Sequence, residues 1–235
     1  MDQIIGQGEL AGGIPYTIGQ LTMEELPKIA RLQEEVVRAN GRGKETLQPL
    51  PMEEYRYVLE GNGLLLGVYA ENQLVGLRAL MVPYKKEGHL GLDAGLPKEE
   101  LDKVIYQDIT MVHPAYRGNR LQQKLAVLIM EELAKREHRF TYVCSTVAPN
   151  NIPSLKDKFF QGMEIAALKK KYGGYWRYIF IKGITEPTEK TWTSIRSAPM
   201  SDFATQQQYL EEGFRGFAME QTEDGYRVIY GKAQA

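Results

Sequence analysis

VIYQDITMVHPAYRGNRLQQKLAVLIMEELAKRE, residues Val104 to Glu137, decides how this chain folds. Val104–Val112 alternates and is rich in β-branched residues, which predicts a central strand. His113 precedes Pro114, and a residue before proline is pushed towards extended backbone, so the strand ends there. A helix is expected to open at Arg117–Asn119 and run to about Glu137, with Leu121, Leu125, Leu128, Ile129 and Leu133 on one face. The unit is therefore strand, glycine-bearing turn, long helix.

That order has a chemical consequence. The first N–H groups of a helix have no intrahelical acceptor, and the helix dipole puts partial positive charge at the same end. A turn containing Gly118 lets a ligand approach these donors, which suits a pyrophosphate. Arg117 and Arg120 can add charge–phosphate contacts. No lysine–serine/threonine pair follows, so the segment is not a P-loop. The three spaced glycines of a dinucleotide fingerprint are also missing.

Working outward, Leu21–Asn40 reads as a helix, with Thr22 and Glu25 as a capping box and Ile29, Leu32 and Val36 on one face. Leu64–Glu71 and Gln73–Pro83 read as a hairpin turning at Glu71–Asn72. Phe140–Val147 is the next strand. Asn151 suits an N-cap and Pro153 a first turn, so Asn151–Gln161 is a helix stopped by Gly162. Glu164–Lys171 and Tyr175–Lys182 form a second hairpin around Gly173–Gly174. Gly183–Pro199, polar and proline-bearing, reads as a linker. Beyond it Glu211–Lys232 echoes Phe160–Lys182: helix end, glycine, strand, turn, strand ending in lysine, with Ser201 or Asp202 as the cap. This is either a partial duplication or the ordinary grammar of a helix followed by a hairpin.

The string Val-His-Pro-x-Tyr-Arg-Gly-Asn-Arg-Leu-Gln (112–122) at a helix start resembles the acyl-CoA motif of the GCN5-related N-acetyltransferase (GNAT) family. Asn151-Ile-Pro-Ser154 followed by Gly162-Met163 resembles that family's second motif, and the element order agrees from about Tyr16 to Lys182. The resemblance implies an α/β fold: a mixed, twisted sheet with helices on both faces, here followed by a C-terminal helix–hairpin extension. It divides the chain into an acyl-CoA-binding catalytic domain, 1–184, and an extension, 185–235. It implies acetyl-CoA as cosubstrate and a primary amine, of a small molecule or a peptide, as acceptor. The cofactor-binding positions it carries over are Met111, Val112, Arg117, Gly118, Asn119, Arg120, Leu121, Gln122, Asn151 and Lys158. The family's phosphate motif, arginine or glutamine, two residues, glycine, one residue, glycine or alanine, falls on Arg117, Arg120 and Gln122, so two of its small residues are absent. The family's tyrosine, seven residues after the motif's asparagine, is here Lys158.

An amine must lose its proton to attack, and only roughly one alkylammonium in 2,500 has done so at pH 7. A carboxylate nearby helps. Asp108 is the candidate base, because strict alternation would set it on one face with Thr110 and Val112. A hydrogen-bonded strand carboxylate is the alternative, and His113 is the second candidate. Lys158 reads as a phosphate or thiolate contact or as a solvated helix lysine. A catalytically idle acyl-CoA sensor, or a tandem descendant acting on a peptide or aminoacyl group, are the competing functions.

Composition narrows the partners. The formal net charge is −1 in 235 residues, so nothing calls for a polyanion. Lys169–Lys171 with Tyr172, Tyr175, Trp176 and Tyr178 could suggest base stacking, but a lysine-ended aromatic hairpin explains them more simply. The one cysteine, Cys144, has no disulfide partner and reads as a small buried residue; His89 and His138 lack ligand-spaced neighbours, so no metal is expected. No apolar run approaches the ~20 residues of a membrane helix. The expectation is a cytoplasmic protein without nucleic-acid or membrane partners, for which a homodimer is allowed.

Overall fold

The structure, a computed structural model, describes residues 3–41, 48–85, 87–136, 139–187 and 190–234. In chain order the elements are β1 Ile4–Glu9, β2 Pro15–Gln20, α1 Leu26–Asn40, α2 Met52–Tyr57, β3 Gly63–Ala70, β4 Gln73–Met81, α3 Leu90–Asp93, β5 Val104–Val112, α4 Leu121–Arg136, β6 Tyr142–Val147, α5 Ile152–Phe160, β7 Glu164–Lys171, β8 Tyr175–Gly183, β9 Trp192–Pro199, α6 Phe203–Glu211, β10 Arg215–Thr222 and β11 Gly225–Ala233. They pack as two compact units, Met1–Val82 with Ile105–Arg139, and Pro83–Val104 with Phe140–Ala235. None of the helices among the described residues is long and apolar enough to cross a membrane.

In the first unit the strands lie in the order β1-β2-β3-β4-β5, each pair antiparallel. The β3–β4 hairpin turns on Glu71 and Asn72, both at positive φ (50° and 63°). Both central residues at positive φ are what a two-residue turn needs to match the strands' twist. α1 begins after a turn in which the Glu25 carboxylate accepts from Thr22 N–H (2.9 Å) and Thr22 Oγ1 (2.8 Å). Its apolar face (Ile29, Leu32, Val36) buries on one side of the sheet against Leu77, Ala79 and Met111. α4 packs on β3 and β4, and Arg78, from the strand face opposite Leu77 and Ala79, reaches it, so helices cover both faces.

In the second unit the order is β6-β8-β7-β10-β11-β9, again with every pair antiparallel. The stretch expected to be a linker contains β9, an edge strand of this unit. Thr193 to Arg196 of β9 is exposed, so burial imposed no alternation that a sequence reading could detect. The glycine-rich segment before β5 is likewise not all loop: α3 forms one turn, capped by His89 Nδ1 accepting from Gly91 N–H at 3.0 Å.

The echo in sequence is also an echo in register. Adding 51 carries α5, 152–160, onto α6, 203–211. The same shift carries Asn151, whose Oδ1 accepts from Ser154 N–H (3.3 Å), onto Asp202, whose Oδ1 accepts from Thr205 N–H (3.1 Å). It carries the irregularity between Ile165 and Ala167 onto the one between Gly216 and Ala218. The two copies meet where Ile165 pairs with Gly216, each the other's equivalent, so the β7–β10 pairing is centred on a local two-fold. A Cβ at Gly216 would lie 3.0 Å from Ile165 Cβ, which explains the glycine at this crossing. Gln206 of α6 ties the copies together: its Oε1 accepts from Tyr178 (2.7 Å) and Tyr230 (2.8 Å) hydroxyls, and all three side chains are buried.

Candidate functional site

β5 carries the bulge that shapes the site. Arg78 is opposite Thr110 but Leu80 is opposite Gln107, so three steps on β5 match two on β4. Gln107 and Thr110 therefore both flank Arg78, and strict alternation fails once between them. The Asp108 charge acts on Tyr55 of α2. Burial, then the nearby Asp108 charge, pushes the Tyr55 hydroxyl well above the ordinary tyrosine range. Tyr55 itself is fully buried in the α1–α2 core and donates to Gln33 Oε1 at 2.9 Å.

At the end of β5 the backbone is fixed. His113 N–H donates to Val75 C=O at 2.8 Å. Successive strand N–H groups alternate in direction, so Met111 N–H turns towards β4 and Val112 N–H turns away from it. Met111 is buried and Val112 partly exposed. The chain then makes a single helical turn, Pro114–Tyr116, in which His113 Nδ1 accepts from Ala115 N–H at 3.3 Å. His113 Nε2 lies 3.7 Å from a Glu35 carboxylate oxygen on α1. Tyr116 donates to Glu71 at 2.7 Å, and that bond raises its hydroxyl above the usual range.

The helix begins at Leu121, later than the Arg117–Asn119 opening read from sequence. The difference lies in two left-handed residues: Gly118 at φ 84° and Arg120 at φ 56°. The first intrahelical bond is donated by Lys124 to Arg120 C=O at 3.1 Å. The N–H groups of Leu121, Gln122 and Gln123 are thus helix-start donors without intrahelical acceptors. Nothing lies within 4 Å of where a Gly118 Cβ would be, so the turn is open to an approaching group. Arg117 and Arg120 are exposed beside it. These donors and cations fit a diphosphate.

Asn119 does something the sequence did not reveal. Its Oδ1 accepts from Ala11 N–H at 2.7 Å and its Nδ2 donates to Tyr116 C=O at 3.0 Å. The side chain is a brace between the β1–β2 turn and the loop, which leaves its backbone for a ligand. Lys124 adds a further cation near the first turn, held by Tyr16: Nζ is 2.6 Å from the hydroxyl and 4.6 Å from the ring centre.

Asn151 and Lys158 belong to the second unit. Asn151 caps α5, as its position predicted. Lys158 is not a solvated helix lysine: it is 4% exposed, with Nζ 3.4 Å from Asp157 Oδ2. Cys144 is buried as expected, and burial pushes its thiol up to about 12. No cluster of metal-ligating side chains occurs among the described residues, and His138 lies outside them.

No family model matches the sequence, and neither does any curated protein. Solved structures match through their fold. YncA from Salmonella typhimurium, solved with its cofactor acetyl-CoA, superposes with a TM-score of 0.54 at 14% identity, over 74% of this chain and 96% of its own. The ribosomal-protein-S18-alanine N-acetyltransferase from Escherichia coli gives 0.54 at 14% over 75% and 99%. The GNAT domain of S. lividans PAT gives 0.52 at 13% over 76% and 96%. At such identities the likeness establishes the fold.

Proposed function

We propose that this chain, which has the fold of the GCN5-related N-acetyltransferases, transfers an acetyl group from acetyl-CoA to a primary amine. The observation that carries this reading is the start of α4: three helix-start N–H donors, an open glycine and two exposed arginines in one turn. In this reading the N–H groups of 121–123 and the backbone of Gly118 and Asn119 bind the diphosphate, with Arg117 and Arg120 contributing charge. Val112 N–H, directed away from β4, donates to the thioester carbonyl oxygen as negative charge develops there; Met111 shapes the strand from its buried side. One such donor contributes ~3–4 kcal/mol to the barrier.

The amine nitrogen bonds to the thioester carbonyl carbon, the carbon–sulfur bond breaks, and the amine proton leaves. Asp108 takes that proton, directly or through water. Asn151 and Lys158 remain proposed CoA contacts on the strength of the GNAT resemblance alone. The acceptor is a small amine or a peptide; the S18-alanine enzyme among the fold neighbours supports the peptide class. Residues 1–184 carry this chemistry.

Residues 185–235 we read as a second copy of the β6-α5-β7-β8 segment, supported by the shared register and the self-paired Ile165–Gly216 crossing. Among its described residues that copy has no counterpart of the strand–loop–helix of 104–136, and the reading expects one CoA per chain. The test is incubation with acetyl-CoA and a panel of amines and N-terminal peptides, following free thiol, with a calorimetric titration by CoA. Acceptor-dependent thiol release and a stoichiometry of one support the reading. Tight binding without release would make the chain a sensor, and no binding would remove the reading altogether.

A further inference from the structure

Arg78 is wholly buried in the middle of β4, the largest side chain with that degree of burial among the described residues. Taking a guanidinium out of water costs several kcal/mol unless its surroundings compensate, so an arginine among the buried apolar residues of β4 calls for a reason. Its contacts point to the loop. Nη1 donates to Gln122 C=O in the first turn of α4 at 3.2 Å, and Nη2 donates to Gln107 Oε1 at 2.7 Å. Gln107 stands on the residue just before the β5 bulge, and its Nε2 lies 3.9 Å from Met130 Sδ of α4. One side chain thus links the central strand, the bulged strand and the helix start.

We infer that Arg78 is a positioning residue for the anion site: a fixed buried cation beneath the helix start that holds its first turn in place and adds positive potential where a diphosphate binds. The inference rests on the acyl-CoA reading above. Two physical effects combine. A charge in a low-dielectric interior acts over a longer distance than one in solvent. The Gln122 carbonyl, gripped from below, also keeps the helix-start N–H groups aimed outward without reorganisation on binding. Arg117 and Arg120, being exposed, are screened and mobile by comparison. Arg78 would therefore matter for the phosphate-bearing part of the ligand and not for the pantetheine arm.

The test uses the full chain and two ligands, CoA and acetyl-pantetheine, which has no phosphate. Arg78→Met removes the charge while filling the space. Gln107→Glu keeps the shape and the hydrogen bond but sets a carboxylate against the guanidinium, and it decides the matter if Arg78→Met does not fold. Both variants are expected to bind CoA at least tenfold more weakly, about 1.4 kcal/mol. Their affinity for acetyl-pantetheine should stay within a factor of about two of the parent's, and Arg78→Lys should retain most CoA affinity. Parent-like CoA binding by Gln107→Glu overturns the role of Arg78, as does an equal loss for both ligands, which would mean a merely structural part. A parent chain that ignores CoA overturns the cofactor reading itself.

Discussion

Arg120 gives a prediction in which backbone and charge can be separated. It sits at φ 56°, in the left-handed region, at a position where the GNAT phosphate motif has glycine. An L-residue there costs ~1–2 kcal/mol. Glycine avoids that strain but loses ~0.5–1 kcal/mol more backbone entropy on folding. Arg120→Gly should therefore be roughly 0.5–1 kcal/mol more stable than Arg120→Ala, since neither carries the guanidinium and only the backbone preference differs. For a chain of this size that is a difference of about 1–4 °C in midpoint, measurable by circular dichroism melts run side by side. CoA titration of the same two proteins reads the charge. A hydrogen bond to a charged partner contributes ~1.5–3 kcal/mol, so both should lose about tenfold or more in affinity, and by the same factor. An alanine variant as stable as the glycine variant would refute the left-handed assignment. Parent-like CoA affinity in both would refute the phosphate contact.

Asp108→Asn should lower acyl transfer and remove the acid limb of its pH profile; an unchanged profile would exclude Asp108 as the base. Burial alone would raise the Asp93 carboxyl, but hydrogen bonds from Lys169 (2.8 Å) and Lys171 (2.6 Å) outweigh it and hold the group below the usual carboxylate range. A depressed folded pKa means stability that is present above the unfolded value of about 3.9 and lost as pH falls through the folded one. Asp93→Asn should thus melt earlier than the parent at pH 7 and converge with it near pH 3; a constant gap would contradict the pairing. Gly63→Ala would drive a methyl group into the Leu80 carbonyl oxygen across the β3–β4 pair, and should destabilise by roughly 2–3 kcal/mol in denaturant titrations.

How much of this was readable beforehand follows from where the information resides. β5 was legible to the residue because its alternation is intrinsic to Val104–Val112. The Glu71–Asn72 turn and the Asn151 cap were legible because each rests on local chemistry. The bulge was not, because register belongs to a pair of strands: nothing in the β5 sequence says that Gln107 and Thr110 both flank Arg78. The late start of α4 depended on Arg120 accepting a conformation usually left to glycine. β9 escaped because Thr193 to Arg196 is exposed and carries no burial pattern. Arg78 could have been noticed as the lone cation among the buried residues of β4, although its grip on Gln122, 44 positions away, could not.

The most direct measurement of the central claim is a crystal structure of the chain with CoA. Diphosphate oxygens should lie about 2.7–3.2 Å from the backbone nitrogens at the start of α4, between Gly118 and Gln123. Diphosphate density anywhere else on the chain, with that turn left bare, would contradict it.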